Sequence, residues 1–149
     1  MAAENDTLKI QTPDGWNLEY KGTNGLDSYL VTPNKTETVC TFNKLPAPIN
    51  PEDIPATLRE MADGILKDSK GRKEITVVSE KYEVVAFEEE QCKGDFIDLK
   101  IVSNTKKVSS VNVVFMMTIK GQTWNGFFLG TAEQWTQALA MLKSIKIAN

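Results

Sequence analysis

Apolar and polar positions alternate most clearly between Val111 and Lys120. Val111, Val113, Phe115, Met117 and Ile119 form one set, and Asn112, Val114, Met116, Thr118 and Lys120 form the other. The first set is wholly apolar and the second is apolar at its centre. That pattern predicts a central strand with material on both faces, since a strand with one wet face alternates more cleanly. Lys120-Gly121 supplies a tight turn, because Gly takes the positive φ that a short hairpin demands. Residues 123–129 return as a second strand, and Gly130 breaks it. Thr131-Ala132-Glu133-Gln134 reads as a capping box, with Thr131 as N-cap and Gln134 reaching back. Trp135, Ala138, Leu139, Leu142 and Ile145 then fall on one helical face.

The preceding chain reads as shorter elements. Leu8, Ile10 and Thr12 alternate as a first strand. In Pro13-Asp14-Gly15, Pro sets φ, Asp accepts from the backbone and Gly takes the left-handed position of a turn. Trp16, Leu18 and Tyr20 share one face of a second strand, and residues 22–25 form a loop. Residues 28–32 and 38–43 make a hairpin joined by Pro33-Asn34-Lys35. Pro46, Pro48 and Pro51 make residues 45–53 an extended connection. A helix follows, with Asp53 as N-cap and Pro55 in its first turn. Its apolar face holds Leu58, Met61, Ala62 and Ile65, flanked by Ile54 and Leu66. Lys67 and Lys70 suit the dipole at its end, and Gly71 stops it.

Residues 75–87 are strand-like again, with a bend at 79–81. Glu88-Glu89-Glu90 and Lys93-Gly94 form a turn region. Residues 96–102 return as a strand, with Ile97, Leu99 and Ile101 opposite Phe96, Asp98 and Lys100. Residues 104–107 are a polar turn. Four short strands, a helix, about four longer strands and a second helix favour an α+β fold: an antiparallel sheet of about 6–8 strands with helices on both faces. Residues 7–149 read as one domain, and residues 1–6 as a disordered tail or a cloning remnant.

The element order resembles the PsbP/Mog-like superfamily, which includes PsbP and the DcrB-type lipoproteins. The resemblance rests on that order, on Thr12-Pro13-Asp14-Gly15-Trp16 near the start, and on Ala138-Leu139-Ala140-Met141-Leu142-Lys143-Ser144-Ile145 at the end. It implies an α/β/α sandwich and a non-enzymatic accessory, chaperone-like or interaction protein, often in an exported compartment. It carries no binding residue over to this chain.

Composition narrows the function classes. A net charge of −3 and a pI near 5.1 argue against nucleic acid and against a polybasic membrane patch. The longest uninterrupted apolar runs, residues 113–117 and 138–142, are too short for a transmembrane helix. The sequence contains no His, the commonest general base and metal ligand. No motif calls for a catalytic residue, a metal or a cofactor. Ala2-Ala3 before an acidic residue resembles what a small-x-small cleavage site leaves behind, which favours an exported, periplasmic protein over a cytoplasmic one.

Several residues invite a chemical reading. In an exported protein Cys40 and Cys92 would form a disulfide, closing a loop of about 52 residues worth about 4 kcal/mol. In a reduced cytosol both would be small buried thiols. Glu88, Glu89 and Glu90 could offer oxygen ligands to a cation, or form a solvated acidic turn. Lys106, Lys107, Ser109 and Ser110 read as turn chemistry rather than a Ser/Lys nucleophile. Trp124 and Phe128 share a strand face across Gly126, either as an aromatic groove or as core over which a helix approaches closely. Trp124 lies near a turn and is expected to keep one edge in water. It would then form a contact surface with Gln122 and Asn125.

The leading expectation is therefore a small accessory protein acting through protein–protein contact, such as a chaperone or an immunity-type inhibitor. A carrier of an apolar ligand between sheet and helix is the second reading, and an enzyme the third. The partner's identity and the oligomeric state are left open.

Overall fold

The computed structural model describes residues 8–23, 26–33, 38–103 and 111–147. Its strands are β1 (Leu8–Lys9), β2 (Trp16–Thr23), β3 (Leu26–Pro33), β4 (Val39–Lys44), β5 (Ile75–Val77), β6 (Val84–Glu88), β7 (Cys92–Leu99), β8 (Ile101–Ser103), β9 (Val111–Ile119), β10 (Gln122–Gly130) and β11 (Lys146–Ile147). The helices are α1 (Ile54–Lys70) and α2 (Ala132–Lys143). Seven strands form one antiparallel sheet in the order β2-β3-β4-β10-β9-β7-β6. The sheet joins two meanders: β2-β3-β4 on one side and β6-β7-β9-β10 on the other, meeting where β4 pairs with β10.

The expected central strand is central. β9 pairs with β10 and β7 along its length, and Val113, Phe115 and Met117 are fully buried. Val114 and Met116 are buried on the opposite face, so each set of the alternation has its own core. α1 covers one face. Ile54, Leu58, Ala62 and Leu66, spaced four apart, pack with Ile97, Leu99, Val114 and Met116. That spacing aligns side chains along a single helical stripe. α2 and the β1–β11 pair cover the other face through Trp135, Ala138, Met141, Leu142, Leu8 and Ile145. The class is α+β, with helices on opposite faces of one sheet.

Local chemistry sets the joints. Lys120 and Gly121 both have positive φ, at 48° and 75°, as the mirror-image hairpin turn between β9 and β10 requires. Thr131 accepts from the Gln134 N–H while the Gln134 side chain accepts from the Thr131 N–H, completing the capping box of α2. Other details differ from the sequence reading. Asp53 makes no side-chain capping bond, and a short 3-10 turn, Pro51–Asp53, leads into α1 instead. Gly71 ends α1 with φ −83°, so its left-handed freedom is not used. The first strand shrinks to two residues and pairs with β11. β5 leaves the main sheet to pair with β8.

The expected turn at Lys93-Gly94 is strand. β7 starts at Cys92, and the turn tightens to residues 89–91, closed by the Glu89 N–H donating to the Cys92 carbonyl. Gly94 stands beside Met117, where a Cβ would lie 2.3 Å from the Met116 carbonyl oxygen and 2.8 Å from Met117 Cα. A glycine amid polar residues reads as a turn, but here it admits close backbone approach. Gly126 serves a different neighbour from the expected helix. Its missing side chain makes room for Phe115, whose Cζ would lie 2.2 Å from a Cβ there.

Candidate functional site

The two helices cover unequal shares of the sheet. α1 lies over β6, β7 and β9 and stops short of the first meander. On that side β2, β3, β4 and β10 present Glu19, Lys21, Ser28, Thr41, Asn43 and Asn125, all exposed or half-buried. Strand alternation puts them on one face, because directly opposed residues share a side. Asn125 stands opposite Asn43, and Asn43 stands opposite Ser28, whose hydroxyl donates to Asn43 Oδ1 at 2.6 Å. Thr41 Oγ1 donates to the Tyr29 carbonyl at 3.0 Å. The face is bounded near Asn125 by the Pro-rich connection. There the Leu45 N–H donates to the Thr123 carbonyl at 2.8 Å, and the Ile49 N–H donates to Thr123 Oγ1 at 2.8 Å. The result is a surface of amides, hydroxyls and an ion pair, Lys21 with Glu19 at 3.7 Å, interleaved with half-buried Leu30, Val39, Phe127 and Leu129. The reverse sides of β3, β4 and β10 are core, whereas that of β2 is core only at Trp16.

Gln122, Trp124 and Asn125 do not form the expected joint surface. Trp124 is 0 % exposed, so its ring has no edge in water. The turn behind it is short, but β4 reaches level with it: Lys44, the last residue of β4, stands opposite Trp124 and pairs with Asp27 at 3.5 Å. Tyr20 donates to the same Asp27, and Tyr29 and Phe42 pack against the indole at 5.7 and 6.0 Å. The Trp124 indole N–H is buried without an acceptor among the described residues. Gln122 is half-buried on the Trp124 side of the sheet, whereas Asn125 points to the opposite side. Of the three, Asn125 alone joins the open face. Phe128 is core, 5.2 Å from the Trp135 ring.

The cysteines are free, buried thiols. Cys40 lies on β4 and Cys92 on β7, with β10 and β9 between them. Three strand spacings put them at least about 14 Å apart, beyond the roughly 7 Å limit for a disulfide. Burial pushes each thiol up to about 12, with Glu89 adding to the effect at Cys92. Neither is an available nucleophile near neutral pH.

Glu88, Glu89 and Glu90 are exposed. Glu89 and Glu90 line a surface cleft of about 270 Å³ together with Lys9, Lys143 and Lys146. Ammonium groups around the same cleft balance the carboxylates, so the turn is a mixed-charge surface rather than an acidic one. No group of three His, Cys, Asp or Glu able to hold a metal ion occurs among the described residues. Lys106, Lys107, Ser109, Ser110, the 104–107 turn and the 1–6 tail lie outside the described residues.

Among the described residues no helix is long and apolar enough to cross a membrane. Buried side chains of sheet and helix meet at both interfaces. A groove of about 460 Å³ lies at the surface by β6, lined by Tyr82, Val85, Phe96 and Asp98 among others. The open face was legible in part: Glu19 and Lys21 alternate with Leu18 and Tyr20, and Ser28, Thr41 and Asn43 recur at strand spacing. Only the reach of α1 decides that no helix covers them. No protein-family model matches the chain, and no curated protein matches it in sequence.

Proposed function

We propose that this chain is a small non-enzymatic accessory protein that acts by protein–protein contact through the open polar face of β2, β3, β4 and β10. The observation that supports this most is the uneven helix cover. One half of one sheet face carries paired amides and hydroxyls on a rigid backing, with Leu30 half-buried among them. Protein interfaces are wet and hydrogen-bonded, about one bond per 100–200 Å², and such a face supplies both donors and acceptors. The sequence has no His and its thiols are locked in the core, which also favours binding over catalysis. The PsbP/Mog-like resemblance implies such an accessory role.

The test uses tagged wild-type chain in its native host and three arginine variants. Thr41→Arg and Asn125→Arg place a bulky cation in the face. Glu133→Arg changes an exposed position on α2. A stoichiometric partner lost with the first two and kept with the third is expected. A partner retained by all three, or no partner at all, would overturn the reading.

A further inference from the structure

β2 is an unusual sheet edge. Eight consecutive residues pair in register with β3, from Trp16 opposite Pro33 to Thr23 opposite Leu26, with no bulge. Nothing among the described residues pairs with its outer side. Asn17, Leu18, Glu19, Tyr20, Lys21 and Gly22 are all exposed. Leu18 at 42 % and Tyr20 at 43 % are two of the few large apolar side chains left in water. A long, regular edge with apolar residues on it is a template for strand addition.

We propose that β2 pairs antiparallel with β2 of a second copy, about a two-fold axis at Tyr20, to give one continuous sheet. The charge pattern favours a second copy as the partner and Tyr20 as the axis. Directly opposed residues must share a face, so the axis passes through a residue and not between two. An axis at Glu19 would oppose Glu19 to Glu19, and one at Lys21 would oppose Lys21 to Lys21; like charges directly opposite are unfavourable. An axis at Tyr20 opposes Glu19 to Lys21 twice, once on each side. The Glu19 and Lys21 side chains, already 3.7 Å apart within one chain, would exchange partners across the axis. On the other face Leu18 would meet Gly22 of the second copy. The Tyr20 side chain lies over Gly22, its hydroxyl held by Asp27. The patch is thus self-complementary, as a two-fold interface requires.

The proposal goes beyond the accessory reading and does not depend on it, because solution association needs no other partner. Sedimentation of the full chain up to about 1 mM should show a monomer–dimer equilibrium. Glu19→Lys and Lys21→Glu should each raise the dimer dissociation constant about tenfold or more, since each turns two attractive pairs into repulsive ones. Mixing the two variants should restore association as a mixed dimer. Circular dichroism checks that both are folded.

A covalent readout needs neither charge nor affinity. Tyr20→Cys should form a disulfide dimer on mild oxidation, because residues opposed on the axis have Cα atoms about 4.5–5.5 Å apart. Leu18→Cys should not, because the two copies of residue 18 lie about 13 Å apart along the ladder. A monomer at all concentrations would overturn the proposal. So would a dimer indifferent to both charge variants, a mixture that fails to pair, or equal crosslinking at positions 18 and 20.

Discussion

The two outer strands of the sheet meet the same problem in different ways. β6 is short and carries Phe87 into the core. α1 packs beside it, and Tyr82, just before it, donates to Asp63 of α1 at 2.6 Å. β2 is eight residues long, has six exposed residues in a row, and keeps only Trp16 buried among its side chains described as core. The same alternation of apolar and polar residues thus has two meanings. Where a helix arrives, both sets of side chains find a core. Where none arrives, one set becomes a polar surface and the other extends an aromatic cluster towards water, through Tyr20 at 5.0 Å from Tyr29. Stability is concentrated around β9, and the surfaces available for contact are at the β2 end.

Core truncations should break this contrast most sharply if it is wrong. Phe115→Ala and Trp124→Ala should each cost about 3–5 kcal/mol in urea melts, whereas Leu18→Ala should cost less than about 1 kcal/mol. Comparable losses at all three positions would show that the β2 end is as fully packed as the centre. The glycines give the next largest difference. Gly94→Ala pushes a methyl against the backbone of Met116 and Met117 and should cost about 1–3 kcal/mol. Gly22→Ala meets a side chain rather than backbone, displacing the Tyr20 hydroxyl from Asp27, and should cost about 0.5–1 kcal/mol.

Alkaline pH separates the two ends by size. The buried thiols of Cys40 and Cys92 are raised from 9.0 to about 12. The unfolded chain therefore releases these protons first. Their contribution is complete below pH 9 and is lost as pH rises from there towards 12. Melts should weaken over that window, and less so in a Cys40→Ala, Cys92→Ala chain compared with its own stability at pH 8. Both thiols should resist alkylation at pH 8 until urea unfolds the protein. Tyr20 is also raised to about 12, by its hydrogen bond to Asp27, and its contribution falls in the same direction above its usual 10. It is substantially exposed, so solvent screens the pair. Tyr20→Phe should change the melt by no more than about 0.5 kcal/mol, the smallest effect of the set.

The elements were largely legible in the sequence because their causes are local. Alternation at Val111–Ile119, the glycine after Lys120 and the Thr131–Gln134 box each act within a few residues. The misread positions depend on distant neighbours. Trp124 reads as a rim residue because it follows a turn, yet Tyr29 and Phe42, far away in sequence, pack against it. Gly94 reads as a turn because nothing nearby reveals the Met116–Met117 backbone against it. The cysteines could be judged only once three strand spacings separated them. The open face is the same kind of case. Its polar residues are visible, but their lack of cover is a fact about where α1 ends in space.

The junction of β4 with β10 also orders events in time. Residues 39–44 must wait for residues 122–130 before their second edge is filled. Leu8 must wait longer still for Ile147, its partner in the pair that helps seal the aromatic cluster. At synthesis rates of about 5–20 residues per second, the first meander spends seconds outside the ribosome with Tyr29, Phe42 and Cys40 unprotected. Contacts this distant along the chain also slow the final closure. A growing chain of this fold is thus briefly a three-stranded sticky sheet, and the cell's holding chaperones have their clearest target in that interval.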